Sequence, residues 1–153
     1  MKKIGIIWLF LLFAFPTFGQ LKAYSFSEVE KLNITVPKPT LVFVHTSWCK
    51  YCKMMQNSTF KNQEVIQQLN ENFYFVSLDA EETSDITFLN HTFKFKPTGQ
   101  NTGVHELATE LATINNEVIY PTIVVLASDY SVLFQKHSFL NAEELLVILQ
   151  KLK

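Results

Sequence analysis

Two short stretches of the chain are apolar almost without a break, and segments of helical spacing separate them. Thr40-Leu41-Val42-Phe43-Val44, entered past Pro37 and Pro39, and Phe73-Tyr74-Phe75-Val76-Ser77-Leu78 have the length and residue types of buried strands. Ahead of the first, Ser27-Glu28-Val29-Glu30 has capping-box spacing and predicts a short helix through Leu32. Between the two, residues 49–56 carry a helical pattern. It is interrupted near Asn57-Ser58 and resumes to about Asn70 behind Asn62, a residue suited to a helix cap.

Beyond Leu78 the pattern loosens. Residues 86–89 and 92–95 flank Asn90-His91 and predict a small hairpin whose turn lacks glycine. Val104, Leu107, Ala108, Leu111 and Ala112 recur at helical spacing and predict a helix over residues 104–114. Tyr120-Pro121 leads into an apolar strand at residues 122–126, which pairs with residues 132–135 across Ser128-Asp129-Tyr130-Ser131. A helix over residues 141–152, with Leu145, Leu146, Ile148 and Leu149, closes the chain and covers one sheet face. The order β, α, β, insertion, β, β, α describes a layered α/β sandwich.

With 153 residues, 48% of them apolar, the chain has room for one domain with a real core. A formal net charge of −1, without charge runs, argues against nucleic-acid binding. The N-terminus has another character: Lys2 and Lys3 precede an apolar run from Ile4 to Phe15, then Pro16-Thr17-Phe18-Gly19. That layout is a signal peptide over residues 1–19, with Thr17 and Gly19 at the small-residue positions of a cleavage site; an uncleaved anchor is the alternative. The expected domain is residues 20–153, working in the periplasm or otherwise outside the cytoplasm.

That setting makes the cysteine count informative. Only Cys49 and Cys52 are present, so a disulfide can join only these two. A bridge closing so short a loop stabilises a fold by about 2 kcal/mol in the chain-entropy account, a weak staple. Chemistry fits better. Disulfide exchange needs a thiolate that attacks a partner disulfide and a second thiol that expels the mixed disulfide. Cys49 at a helix N-terminus, with Lys50 adjacent, has its thiolate form favoured, and Cys52 lies one turn inward as the resolving thiol.

The segment Phe43-Val44-His45-Thr46-Ser47-Trp48-Cys49-Lys50-Tyr51-Cys52-Lys53, completed by Tyr120-Pro121-Thr122, resembles the active site of the thioredoxin superfamily, in particular its exported bacterial thiol:disulfide oxidoreductases. The resemblance implies a thioredoxin-like α/β fold, a central mixed sheet flanked by helices, with an insertion before the strand that follows a cis-proline. It implies that Pro121 is that proline, facing Cys49 and Cys52. Trp48, Lys50 and Tyr51 would support the active site, and Tyr120 and Thr122 would contact substrate. The expected partners are proteins bearing disulfides or thiols, with a membrane thiol as electron donor. Neither a cofactor nor a bound metal is expected.

Two departures stand out. The buried acid many thioredoxins carry six residues before the first cysteine is Phe43 here, so Glu64, Asp79 or a water would have to accept the Cys52 proton. The segment from Asp79 to Ile119 exceeds the minimal fold and would sit near the groove, where it influences partner choice. Among other readings of Cys-x-x-Cys, haem attachment needs a histidine where Lys53 stands. Structural zinc needs two further ligands, whereas His45, His91, His105 and His137 are scattered singly. A non-catalytic periplasmic module binding copper or a partner protein remains the alternative function. His45 reads as a strand-end polar residue or a modulator of proton transfer, and His105 and Glu106 as a solvated helix face or as residues lining a groove. Lys50 and the helix end favour an oxidising pair, while the likeness to exported relatives favours a reductase.

Overall fold

A computed structural model describes residues 19–153, so the expected signal peptide lies, but for Gly19, outside the described residues. Among the described residues no helix is long and apolar enough to cross a membrane. The apolar runs become three of the strands of a four-stranded sheet. β1 (Thr40–His45) pairs in parallel with β2 (Tyr74–Asp79) and antiparallel with β9 (Thr122–Leu126), and β10 (Val132–Lys136) pairs with β9. The strand order is β10-β9-β1-β2.

These runs are continuous because both sheet faces are covered. Leu41, Phe43, Ile123 and Val125 point into one core with α2 (Lys50–Asn57), α3 (Gln63–Asn72) and α5 (Ala142–Leu152). Val42, Val44, Val76, Leu78, Val124 and Leu126 point into another, which Phe26 and Val29 of α1 (Phe26–Thr35) and Leu107, Ala108 and Ala112 of α4 (Glu106–Ala112) complete. The fold class is therefore the expected thioredoxin-like α/β sandwich with a mixed central sheet.

Helix ends follow local hydrogen bonding. Asn62 caps α3 as expected, its side chain accepting from the Glu64 and Val65 N–H groups. α1 begins earlier than predicted: Ser25 is the cap and Glu28 completes the box, so the Ser27/Glu30 spacing is a coincidence two residues further along. Asn141 and Glu144 form a second capping box at α5.

The long segment between β2 and β9 is an insertion of three hairpins and one helix. β3 (Ile86–Phe88) and β4 (His91–Phe93) form the expected hairpin, and β5 (Phe95–Gly99) with β6 (Thr102–His105) forms a second that the pattern did not predict. β7 (Thr113–Ile114) and β8 (Glu117–Val118) form a third. The helix predicted over residues 104–114 is shorter because β6 takes Val104 and β7 takes Ile114. Asparagine does glycine's work in these turns: Asn90, Asn101, Asn115 and Asn116 all have positive φ. Leu89 shares that conformation at φ 53°, and its N–H donates to the Glu30 carboxylate.

Candidate active site

β1 ends at His45, and the turn Thr46–Trp48 hands the chain to α2 with Cys49 at its cap. The Cys49 Sγ accepts a hydrogen bond from the Cys52 N–H at 3.1 Å, so the sulfur itself occupies the capping position. Cys49 and Cys52 are joined in a disulfide with their Cα atoms 5.2 Å apart. Only Cys49 reaches solvent, at 6% exposure against 0% for Cys52. An incoming partner therefore meets Cys49 first. Lys50 is exposed on the first turn, which screens its charge.

Around this nearly buried pair the surface is apolar. Trp48 is 64% exposed, and Tyr51 and Met54 are exposed as well. The Trp48 indole N–H donates to Glu81 Oε1 at 3.0 Å, and its ring stands edge-on to Tyr120, centroids 5.9 Å apart. This contact brings the residues ahead of β9 to the cysteine turn. The Tyr120–Pro121 peptide is cis, and Tyr120 packs against the core cluster that contains Cys49 and Cys52. The Tyr120 hydroxyl is buried without a hydrogen-bond partner. Burial, then the negative charges of Glu81 and Asp79, push its phenol up to about 12.

Thr122, expected to contact substrate, has its side chain turned inward. It is fully buried; its hydroxyl donates to the Ile119 carbonyl at 2.7 Å and lies 2.9 Å from His137 Nδ1. A hydroxyl has one proton, so with that proton on Ile119 the His137 Nδ1–H is the donor of the second bond. Thr122 thus ties down the turn that presents Tyr120 and Pro121.

The strand face beneath the cysteines is built without the acid. Phe43 is fully buried, its ring 4.9 Å from Phe60 and 5.0 Å from the His45 ring, with which it stacks. His45 bonds to Ser77 Oγ at 2.8 Å. Burial holds its imidazole below the ordinary value, with Asp79 opposing. Asp79 sits across from His45 in the β1–β2 register, and its Oδ1 accepts from the Glu81 N–H. Glu64 is exposed in the first turn of α3. Of the two acids considered for the Cys52 proton, Asp79 stands beside the end of β1 and Glu64 on the exposed start of α3. Among the described residues, no group of three or more His, Cys, Asp or Glu side chains is placed to hold a metal ion.

The model of the family described as thioredoxin-like domain matches residues 29–153. The chain belongs to the thioredoxin-like domain family. Among solved structures, it is similar to the DsbH oxidoreductase, with a TM-score of 0.61 and 18% identity over 87% of this chain and 84% of that one. It is equally similar to a thioredoxin from Thermus thermophilus, at TM-score 0.61 and 20% identity over 87% of both chains. A disulphide isomerase from Xylella fastidiosa matches with a TM-score of 0.53 and 18% identity over 84% of this chain and 91% of that one. At such identities these likenesses show the fold. Among curated proteins, spermatogenesis-associated protein 20 of Mus musculus is 38% identical over 69 residues, and that of Homo sapiens 35% identical over 69. The match takes in 45% of this chain but 8% of each of those proteins.

Within this thioredoxin-like domain, two insertion residues take places that residue type alone did not indicate. His105, expected on a solvated face, is 0% exposed and caps α4, its Nδ1 accepting from the Leu107 N–H. Glu106 does not simply face solvent either: Oε2 accepts from the Lys94 N–H and Oε1 pairs with Lys96 at 2.9 Å, joining α4 to the second hairpin. Glu81 had no signal in the sequence beyond its position after β2.

Proposed function

We propose that this protein is a thiol:disulfide oxidoreductase acting on protein disulfides outside the cytoplasm through Cys49 and Cys52. The observation that carries the reading is the Cys49 sulfur at the cap of α2, marginally exposed, hydrogen-bonded to a helix N–H and backed by a buried Cys52. In the reduced protein the Cys49 thiolate attacks one sulfur of a partner disulfide, and the partner's other sulfur leaves as a thiolate. Cys52, on losing its proton, then attacks the Cys49 sulfur, restoring the internal disulfide and freeing the partner as a dithiol. Two electrons pass from the protein to the partner. A thiol donor, in this reading a membrane protein, must return them.

The helix cap supports Cys49 as the nucleophile, since an N–H and the helix dipole favour its thiolate. The exposed Trp48, Tyr51 and Met54 support a protein partner, because an apolar collar of this kind is buried when another chain docks. Tyr120, with its backbone beside Pro121, is the proposed contact for that chain. The apolar leader at residues 4–15 supports the extracytoplasmic setting. Insulin reduction tests the reading: Cys49→Ser is expected to abolish turnover. Unchanged turnover in that variant removes Cys49 from the nucleophile's role.

A further inference from the structure

Glu81 lies where the redox site meets the insertion. One carboxylate oxygen holds the Trp48 indole at 3.0 Å, and Oε2 has no hydrogen-bond partner among the described residues. The same side chain, with Thr83, forms one wall of a groove whose other wall is the β5–β6 hairpin: Phe95, Pro97, Asn101 and Thr102. The groove has a volume of about 430 Å³, within the range of clefts that bind ligands. Glu81 therefore links the groove, by its hydrogen bond to Trp48, to the residue preceding Cys49.

Charge narrows what the groove takes. Glu81 is the only charged residue in its lining, and Asp79 and Glu82 flank it on the chain. Among the described residues the one ion pair is Lys96–Glu106, so no cation neutralises Glu81. A carboxylate half-withdrawn from water and lacking a counter-ion attracts a cationic side chain more strongly than a fully solvated one does.

Resting on the proposed redox function, we propose that this groove extends the redox cleft and selects partner segments carrying lysine or arginine beside the reacting cysteine, with Glu81 as the specificity-determining residue. The segment lies extended along the hairpin while its disulfide faces Cys49. The cation meets Glu81 Oε2, leaving Oε1 on the indole.

Two measurements on the full chain test this. In the first, calorimetry follows the oxidised protein binding a short lysine- and arginine-bearing peptide with serine in place of cysteine, and a matched glutamate-bearing peptide. The expected result is about tenfold tighter binding of the basic peptide, a difference that Glu81→Gln, which keeps a carbonyl for the indole, reduces to within about twofold. Equal binding of the two peptides, or a preference unchanged in Glu81→Gln, overturns the proposal. Neither result depends on thiol chemistry.

In the second, the reduced protein exchanges with the corresponding cysteine peptides, each carried as a mixed disulfide with thionitrobenzoate, and with the free aromatic disulfide. A rate ratio favouring the basic peptide that inverts in Glu81→Lys supports the inference. Brisk exchange with the aromatic disulfide without any peptide preference sinks the inference and spares the redox reading. Preferential binding of the basic peptide with no exchange at all does the reverse.

Discussion

Replacing Thr122 by valine removes one oxygen from the interior and keeps the shape of the side chain. That oxygen makes two bonds, to the Ile119 carbonyl at 2.7 Å and His137 Nδ1 at 2.9 Å, and both tie the turn before β9 to its surroundings. Each intramolecular hydrogen bond contributes about 1 kcal/mol net, and a buried group left unpaired costs about 1–3 kcal/mol. Ile119 and His137 are only half-buried, so water can satisfy part of what is lost. The expected cost is about 2 kcal/mol, seen as a lower urea midpoint with unchanged slope and a fall in Tm of roughly 6–8 °C. Thr122→Ser, which keeps the hydroxyl, should recover the hydrogen-bond part. A Thr122→Val loss below about 0.5 kcal/mol would refute the claim that this hydroxyl secures the turn.

Three further outcomes follow from the geometry. Phe43→Ala should cost about 3–5 kcal/mol in urea unfolding, because it empties a fully buried site packed on Phe60 and His45; a loss under about 1.5 kcal/mol would mean that the core closes over it. His45 is held below its ordinary value of 6.5 by burial, so the unfolded chain takes up this proton first. Stability should be complete above about pH 6.5 and decline as pH falls from there to the folded value; His45→Gln should flatten that decline, and an unaltered profile would contradict it. A Cβ at Gly103 would run into the Phe95 ring and the Lys96 carbonyl, so Gly103→Ala should displace the β5–β6 hairpin and speed amide exchange there; unchanged exchange would show that the hairpin absorbs the methyl group.

Three of the four sheet strands were legible in the sequence because each is covered on both faces, which leaves a nearly unbroken apolar run at Thr40–His45, Tyr74–Asp79 and Thr122–Leu126. Asn62 was legible for a local reason, since capping depends on a side chain and N–H groups two and three residues away. The same locality misplaced the start of α1: two serine–glutamate pairs, Ser25/Glu28 and Ser27/Glu30, satisfy the spacing, and packing of Phe26 and Val29 selects the first. The second hairpin escaped notice because its β5 residues are largely exposed and carry little apolar periodicity. Its turn relies on Asn101 rather than glycine.

The site divides in the same way. Cys49, Cys52 and Trp48 group together in the sequence because they are adjacent in the chain. The tie between Trp48 and Glu81 spans 33 positions and is created by the fold alone. His105 looked solvated because polar residues at helix starts generally are. Its burial follows from the packing of β6 beside Ala80, whose carbonyl accepts from the His105 N–H at 2.7 Å. Thr122 is expected at the substrate because it follows Tyr120 and Pro121, and only the fold turns its hydroxyl inward.

The most direct measurement is a trapping experiment. A Cys52→Ala variant, reduced and mixed with a protein that carries an accessible disulfide, should accumulate a covalent adduct at Cys49, identified by mass spectrometry and released by dithiothreitol. The account predicts that adduct with Cys52→Ala and none with Cys49→Ala. An adduct formed through Cys52 in the Cys49→Ala protein, or none in either variant, would contradict it.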